Sequence, residues 1–536
     1  MTPVGAGTVR PVNPEEGRRT VWAEETDERR RPWPTVAVVA TFALGTLAAS
    51  LLTVWRYAAY HQQADGIMQA VMSVQDVDLF FWGQDRFLSF VRFLMSPVAD
   101  PDLNFFGCLL INALSLHLVF LGASYLAAPL VMGDRDPWGV GGLFAASVAV
   151  AHLVWSPYFI NVAGLETQPY SVSYVMMLAS ILLYRRPGLL RRGLALVLLG
   201  PVVGLSPANI IVAGALCLAI AIRTGRWRAR WVYGGVWVAW ELVWILLSRR
   251  VASVPTPSSA VGGDDYMAFS WTQLSEHWGS AVSAQSMAVQ LVPLLILTGL
   301  AALALIVSPA KRRRSLTIAA VAGGAFCLAF GALFAANLWV GQNAYLPRYF
   351  YPVYVLLVVA LAAPAASAAA RSTRRRTSGL VILTVVALVA TAVRLLSGPV
   401  QSPSEALAFA ATKDVADYAA SRDVAFVAGS FWAAVPVQFA LLRQGREAAY
   451  YTGPKSGGDG AGYVRALNRE LAEPDGPPRA VCINEANEQC IAFLTAWTAP
   501  GWTATDERCP TPSLDPLVGS EPRSCTVIEF TASPAR

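Results

Sequence analysis

Apolar runs long enough to cross a bilayer recur along this chain, separated by short links, and a water-soluble core cannot absorb so many of them. A run of roughly 20 apolar residues spans a hydrocarbon layer of about 30 Å as a helix. About eleven such runs are read, near 35–55, 104–127, 138–156, 168–184, 193–205, 207–222, 231–248, 288–308, 316–338, 352–370 and 378–396, two of them rather short. With 55% hydrophobic and only 14% charged residues among 536, the composition excludes a soluble globular domain. The expected fold class is an α-helical polytopic membrane protein.

Arginine and lysine set the expected orientation, because basic residues of short loops stay on the cytoplasmic side. They gather at 185–192, 223–230, 311–314 and 371–376, and Arg29, Arg30 and Arg31 precede the first run. In an eleven-span chain all of these fall on one side, which puts the N-terminus in the cytoplasm and the C-terminus outside, in a multi-pass plasma-membrane protein. Each basic segment lies between two spans and is a few residues long, so it reads as a topology determinant and not as a nucleic-acid patch. The formal net charge of +6 needs no nucleic-acid partner.

Residues 1–33 mix Pro, Glu, Thr and Arg without apolar periodicity, as a flexible cytoplasmic tail does. The first run is too long for a signal-peptide core and is followed by the interfacial anchors Trp55 and Tyr57, so it is expected to stay uncleaved. The transmembrane part is read as 34–396, with outer loops 57–103 and 249–287. An outer region follows at 397–536, expected to be a small α/β domain. Its helix-like stretches lie at 404–420, 431–443 and 461–472, and its strand-like runs are "VAFVAG", "EAAYYTG", "RAVCIN" and "CTVIEF". Cys482, Cys490, Cys509 and Cys525 all fall there, an even set that suggests two disulfides in any of three pairings. Cys108, Cys217 and Cys327 lie in spans, where they serve as small apolar residues.

Familiar soluble-enzyme motifs are missing. The Gly-rich "GPKSGGDGAGY" at 453–463 lacks the spacing of a phosphate loop, and the four histidines, His61, His117, His152 and His277, are too scattered for a metal motif. Asp264 and Asp265 in "GGDDYM" offer paired oxygens to a divalent cation, although neighbouring carboxylates in a Gly-rich loop are usually only solvated. No metal site is assigned, and a divalent cation stays a possible cofactor. No internal repeat suggests the inverted halves of a secondary transporter.

The richest stretch is "QQADGIMQAVMSVQDVDLFFWGQDRF", residues 62–87, which holds Asp65, Asp76, Asp78 and Asp85 directly after the first span. Sugar transfer from a lipid phosphate needs a carboxylate to deprotonate the acceptor hydroxyl and cations to neutralise the departing phosphate. Both belong at the water–membrane boundary, where headgroup and lipid tail meet. Asp65 lies about ten residues beyond the span, and Asp76 and Asp78 follow "GIMQAVMSVQ", which is patterned to lie along a membrane surface. Trp82 beside Asp85 and Arg86 suits a sugar ring as well as an interfacial belt.

Taken together with "YHQQADGIMQ", the Gly-x-x-x-Pro-like turn "GLSPANII" at 204–211 and the Arg-aromatic "NAYLPRYFYPVYV" at 343–355, the chain resembles the GT-C superfamily of polytopic glycosyltransferases. That group uses polyprenyl-phosphate-linked sugars and includes the protein O-mannosyltransferases. The resemblance covers roughly residues 35–400, and the number of spans and the outer C-terminal region agree with it. It implies a polyprenyl-phosphate sugar donor, an envelope glycan, lipid or protein as acceptor, and a bilayer setting. The adjacent acidic pair of the O-mannosyltransferases is absent, since Ala64 and Gly66 flank Asp65. The base therefore stays open between Asp65 and the Asp76/Asp78 pair.

By the same resemblance Arg348 in "LPRYF" faces the lipid phosphate, where a planar guanidinium makes paired hydrogen bonds, and Arg86 is a second phosphate-binding candidate. An anchor snorkelling to water is the plainer role for Arg348. Glu166 in "GLETQPYS" opens the fourth span, where a boundary carboxylate is costly and often functional, although charge placement at a helix N-terminus explains it as well; with Trp82, Asp85 and Tyr345 it completes the substrate-binding candidates. The expected activity is inverting transfer of a hexosyl or pentosyl unit in cell-envelope building. A transporter or flippase of an envelope lipid or sugar is the first alternative, with Glu241 in "VAWELVWIL" the one acidic residue deep in a span. A non-catalytic scaffold built on the outer domain is the second.

Overall fold

The computed structural model describes residues 32–57, 64–75, 90–131, 137–165, 170–206, 209–224, 227–252, 269–342, 344–369, 376–397, 403–424, 426–429, 431–446, 449–452, 479–483, 502–508 and 525–532. The chain forms two compact units, Met1–Leu44 and Gly45–Arg536, and the second contains both the helical bundle and a sheet.

The apolar runs are mainly helical in their described parts, with non-helical residues at ends such as Trp155 and Val289, which form a β-bridge. The helices are α1 (Pro32–Tyr57), α2 (Ala64–Val74), α3 (Phe90–Met95), α4 (Pro101–Val131), α5 (Pro137–Val154), α6 (Pro157–Gly164), α7 (Tyr170–Arg185), α8 (Leu189–Val197), α9 (Leu199–Leu205), α10 (Asn209–Thr224) and α11 (Trp227–Ala252). After them come α12 (Trp271–Gln285), α13 (Leu291–Ile306), α14 (Ala310–Ala335), α15 (Leu338–Gln342), a 3-10 turn at Pro347–Phe350, α16 (Tyr351–Ala369) and α17 (Arg376–Ser397). Four stretches among the described residues are long and apolar enough to cross a membrane: Pro101–Pro129, Pro137–Val154, Leu316–Ala335 and Pro347–Ala368.

Helix α5 lies at the centre, packed by α4, α16 and α17. Its buried face includes Gly139, Gly141, Gly142, Ala145, Ala146 and Ala149, small residues that let neighbouring helices close in where the hydrophobic effect between helices is absent. At the rim the pattern reverses: α13 buries none of its residues, and Leu291, Leu295, Ile296 and Leu300 are all more than half exposed, the surface a lipid-facing helix presents. The short span expected at 193–205 is broken into α8 and α9, whose backbones part at Leu198. In "GLSPANII", α9 ends at Leu205 and α10 begins at Asn209, whose side-chain Nδ2 donates to the Ser173 hydroxyl at 3.0 Å.

Helix α2 differs from its expected place on the membrane surface. Ile67, Met68, Ala70, Val71 and Met72 are buried on more than one face, because the helix is enclosed by α4, α3 and a C-terminal helix over Phe431–Arg443. An amphipathic pattern at a membrane boundary reads the same whether lipid or protein covers it.

The C-terminal region combines α18 (Pro403–Ser421) and α19 (Phe431–Arg443) with strands β1 (Phe426–Gly429), β2 (Ala449–Thr452), β3 (Arg479–Ile483), β4 (Trp502–Arg508) and β5 (Cys525–Ala532) in the order β2-β1-β3-β5-β4. β1 pairs parallel with β2 and β3, Val427 lying opposite Val481, and α19 is the crossover between β1 and β2. β5 runs antiparallel to β3 and β4. Four strands lie on the strand-like runs of the sequence; β4, "WTATDER", is a polar edge strand without an apolar alternation to reveal it. Cys482 and Cys525 sit on neighbouring rungs, opposite Thr526 and Ile483, while Cys490, Cys509 and the helix-like stretch 461–472 lie outside the described residues.

Candidate functional site

Of the residues read as functional, Tyr345 and Arg348 are brought together. They share the link between α15 and α16, which turns through two successive left-handed residues, Ala344 (φ 52°) and Tyr345 (φ 55°). Side chains with a Cβ resist that region, and such outliers persist only where surroundings over-determine them. Here the surroundings are explicit. The Tyr345 amide donates to the Val340 carbonyl at 2.9 Å, and the Ala344 amide to that of Gly341 at 3.0 Å.

Two glutamines of α12 complete the clamp. Gln285 Nε2 donates to the Tyr345 carbonyl at 2.9 Å, and Gln285 Oε1 accepts from the Tyr354 hydroxyl at 2.8 Å. Gln273 Nε2 donates to the Tyr345 hydroxyl at 3.2 Å and to the Asn337 carbonyl at 3.1 Å. Gly341 makes that approach possible, since a Cβ there would lie 2.0 Å from Gln273 Nε2.

The clamped link feeds directly into the 3-10 turn, all four of whose residues are buried. Arg348 is 9% exposed, so it does not snorkel to water. Its guanidinium carbon lies 5.3 Å from the Tyr349 ring centroid, a cation–π distance, and Nη2 is 3.4 Å from the Tyr349 hydroxyl. Beneath the turn, Trp155, Phe159, Tyr351 and Tyr354 form an aromatic floor with centroids 4.5 to 6.5 Å apart. Tyr351 and Ser171 share a hydroxyl contact of 3.1 Å.

Several backbone bonds place this assembly at the level where spans end. The Ser270 amide donates to Ala336 O at 2.8 Å, one residue past the span Leu316–Ala335. The Gln290 amide donates to Val154 O at 2.6 Å, the last residue of the span Pro137–Val154. The Ser156 amide donates to Ala288 O at 2.8 Å. Arg348 itself is the second residue of the span Pro347–Ala368. A buried cation therefore sits at one boundary of the apolar layer.

Asp65 is the second residue of α2, so its backbone lies in the first turn of that helix. Against α2 lies a residue that sequence reasoning missed. Arg92 of α3 is fully buried, donates from Nη1 to Met72 Sδ at 3.5 Å, and stands 5.3 Å from the Phe93 ring centroid. An arginine inside the apolar "FVRFLM" was the available signal. Gln273, Gln285 and Gly341 carried none, because their roles arise only when α12 meets the link before α16.

Asp76, Asp78, Trp82, Asp85, Arg86, Glu166, Asp264 and Asp265 lie outside the described residues. Among the described residues, no three His, Cys, Asp or Glu side chains converge to hold a metal. Helix α4 packs against α2 near its start and against α6 and α16 farther along. Phe105 of α4 meets Phe439 of α19 at 5.4 Å and Phe120 meets Trp155 at 5.4 Å. Fifteen residues separate these positions, about 22 Å of helix rise.

No protein-family model and no curated protein matches the chain. Two crystal structures of ArnT from Cupriavidus metallidurans are similar to it. The one bound to undecaprenyl phosphate is 12% identical over 93% of this chain and 98% of its own, with a TM-score of 0.49. The one in the apo state is 14% identical over 91% and 98%, with a TM-score of 0.45.

Proposed function

We propose that the chain is a membrane glycosyltransferase of GT-C type that moves one sugar from a polyprenyl-phosphate donor to an acceptor of the cell envelope. The observation that carries this reading is Arg348: a buried guanidinium at the boundary of the apolar layer, in a left-handed link clamped by Gln273 and Gln285. A lipid phosphate has its charge at that depth, and a planar guanidinium pairs with its oxygens.

In the reaction a carboxylate takes the proton of the acceptor hydroxyl, that oxygen bonds to the anomeric carbon, and the bond from that carbon to the phosphate oxygen breaks. The electron pair leaves with the polyprenyl phosphate, whose charge Arg348 neutralises, assisted by Arg86. Attack opposite the leaving group inverts the anomeric centre. Asp65 is the first candidate for base and Asp76 and Asp78 are the next. Trp82, Asp85, Glu166 and Tyr345 hold sugar and acceptor, Tyr345 with the hydroxyl that Gln273 orients. The protein spans the plasma membrane several times with its N-terminus in the cytoplasm and residues 397–536 outside.

A transporter would use Glu241 differently. That carboxylate accepts from the Trp237 indole at 3.0 Å within its own helix, one turn away, which suits a structural residue of α11. The test is release of polyprenyl phosphate by purified protein from a panel of polyprenyl-phosphate sugars with envelope acceptors, comparing wild type with Asp65→Asn. Release by wild type and its loss in Asp65→Asn supports the reading. Full turnover in the variant moves the base to Asp76 or Asp78, and no release from any donor sinks the proposal.

A further inference from the structure

Helix α12 has three distinct sides. At 100° per residue, Trp271, Trp278 and Val282 fall within about 40° of one another. They are 71%, 43% and 53% exposed. Thr272, Glu276, Ser280 and Ser283 form an exposed polar side. The third side carries Gln273 and Gln285, the clamps on the link before Arg348, with Ala281 buried between them.

Both ends of this helix are tied to the ends of spans. Ahead of it, Phe269 bridges Asn337 just after α14; behind it, Val289 bridges Trp155 just after α5. Six residues past Gln285 the chain enters α13, whose Leu291 and Val292 are exposed. A helix fastened at both ends to the termini of membrane-crossing helices runs along the boundary of the apolar layer. Trp side chains favour that depth, with the ring among acyl chains and the N–H among headgroups.

We propose that the strip of Trp271, Trp278 and Val282 is a phospholipid-binding surface, and that α12 lies in the bilayer interface while its inner side holds the Arg348 link. The occupant is the headgroup–acyl boundary of the leaflet that α13 enters. Bilayer contact and the phosphate-facing turn are then two sides of one helix, an arrangement that holds whether or not the chain transfers sugar.

The test places the photo-crosslinking residue p-benzoylphenylalanine, one position at a time, at 271, 278 and 282, with 276 and 280 as controls. The full chain is used in phospholipid nanodiscs. The expected result is phospholipid adducts at 271, 278 and 282 at least tenfold above those at 276 and 280. Equal adducts at all five positions, or adducts to a second copy or to another segment of the chain, would overturn it. A second readout is quenching of tryptophan fluorescence by lipids brominated near the headgroup. Wild type is expected to lose more signal than Trp271→Phe/Trp278→Phe, and equal losses would count against the proposal even if one crosslinking variant misfolded.

Discussion

Arg348 combines burial, a fixed stacking partner in Tyr349 and a strained approach through Ala344 and Tyr345. Lysine keeps the charge but lacks the planar fork, so Arg348→Lys is expected to lower polyprenyl-phosphate release about 10²-fold, the loss typical of removing one donor to a developing anion. Unchanged melting in detergent alongside that loss would assign it to chemistry and not to folding. Gly341 and Gln273 make a sharper pair. A methyl group at 341 must displace Gln273, so Gly341→Ala and Gln273→Ala should slow turnover by similar factors. The double variant should cost no more than the larger single change, the non-additivity of two changes that remove one contact. Additive losses in the four-way comparison would show that Gly341 acts by another route.

At the scale of elements, α19 is the join between the C-terminal region and the membrane part. Ala434, Val435, Val437, Gln438, Phe439 and Leu441 are all buried, some toward the sheet and some toward α2 and α4. Gln438 donates to Gln75 Oε1 at 2.8 Å, next to Asp76, and Arg443 Nε donates to Asp102 Oδ1 at 2.7 Å. The two kinds of contact differ in weight. Phe439→Ala removes a fully buried ring that meets Phe105, a loss of about 3–5 kcal/mol. Arg443→Ala removes a half-exposed ion pair worth about 0–1 kcal/mol. Thermal unfolding should therefore show a large drop for Phe439→Ala and a small one for Arg443→Ala; the reverse order would mean that charge, not packing, holds the join.

For the whole molecule, the enclosure of α2 bears on the scaffold alternative. If residues 403–536 served only to recruit other proteins, their deletion would leave sugar transfer intact. Because α19 covers the helix that carries Asp65, the expected outcome is loss of transfer while the protein still inserts in the membrane. Full activity in that truncation would detach the C-terminal region from the chemistry.

Apolar runs and basic links were enough to determine a helical membrane protein, since burial of backbone polar groups in lipid leaves helix as the local solution for each run. The Arg-aromatic "LPRYF" drew attention to Arg348 but left its role open, because a cation beside an apolar run is either anchored or used. Local pattern also revealed β1, β2, β3 and β5, and missed the polar edge strand β4. Only the tertiary structure decided that protein encloses α2, that Arg92 stands buried against it, and that Gln273 and Gln285 of α12 hold the link before Arg348. Those contacts join positions 20 to 363 residues apart, and a hydrogen bond between distant segments leaves no periodicity in either one.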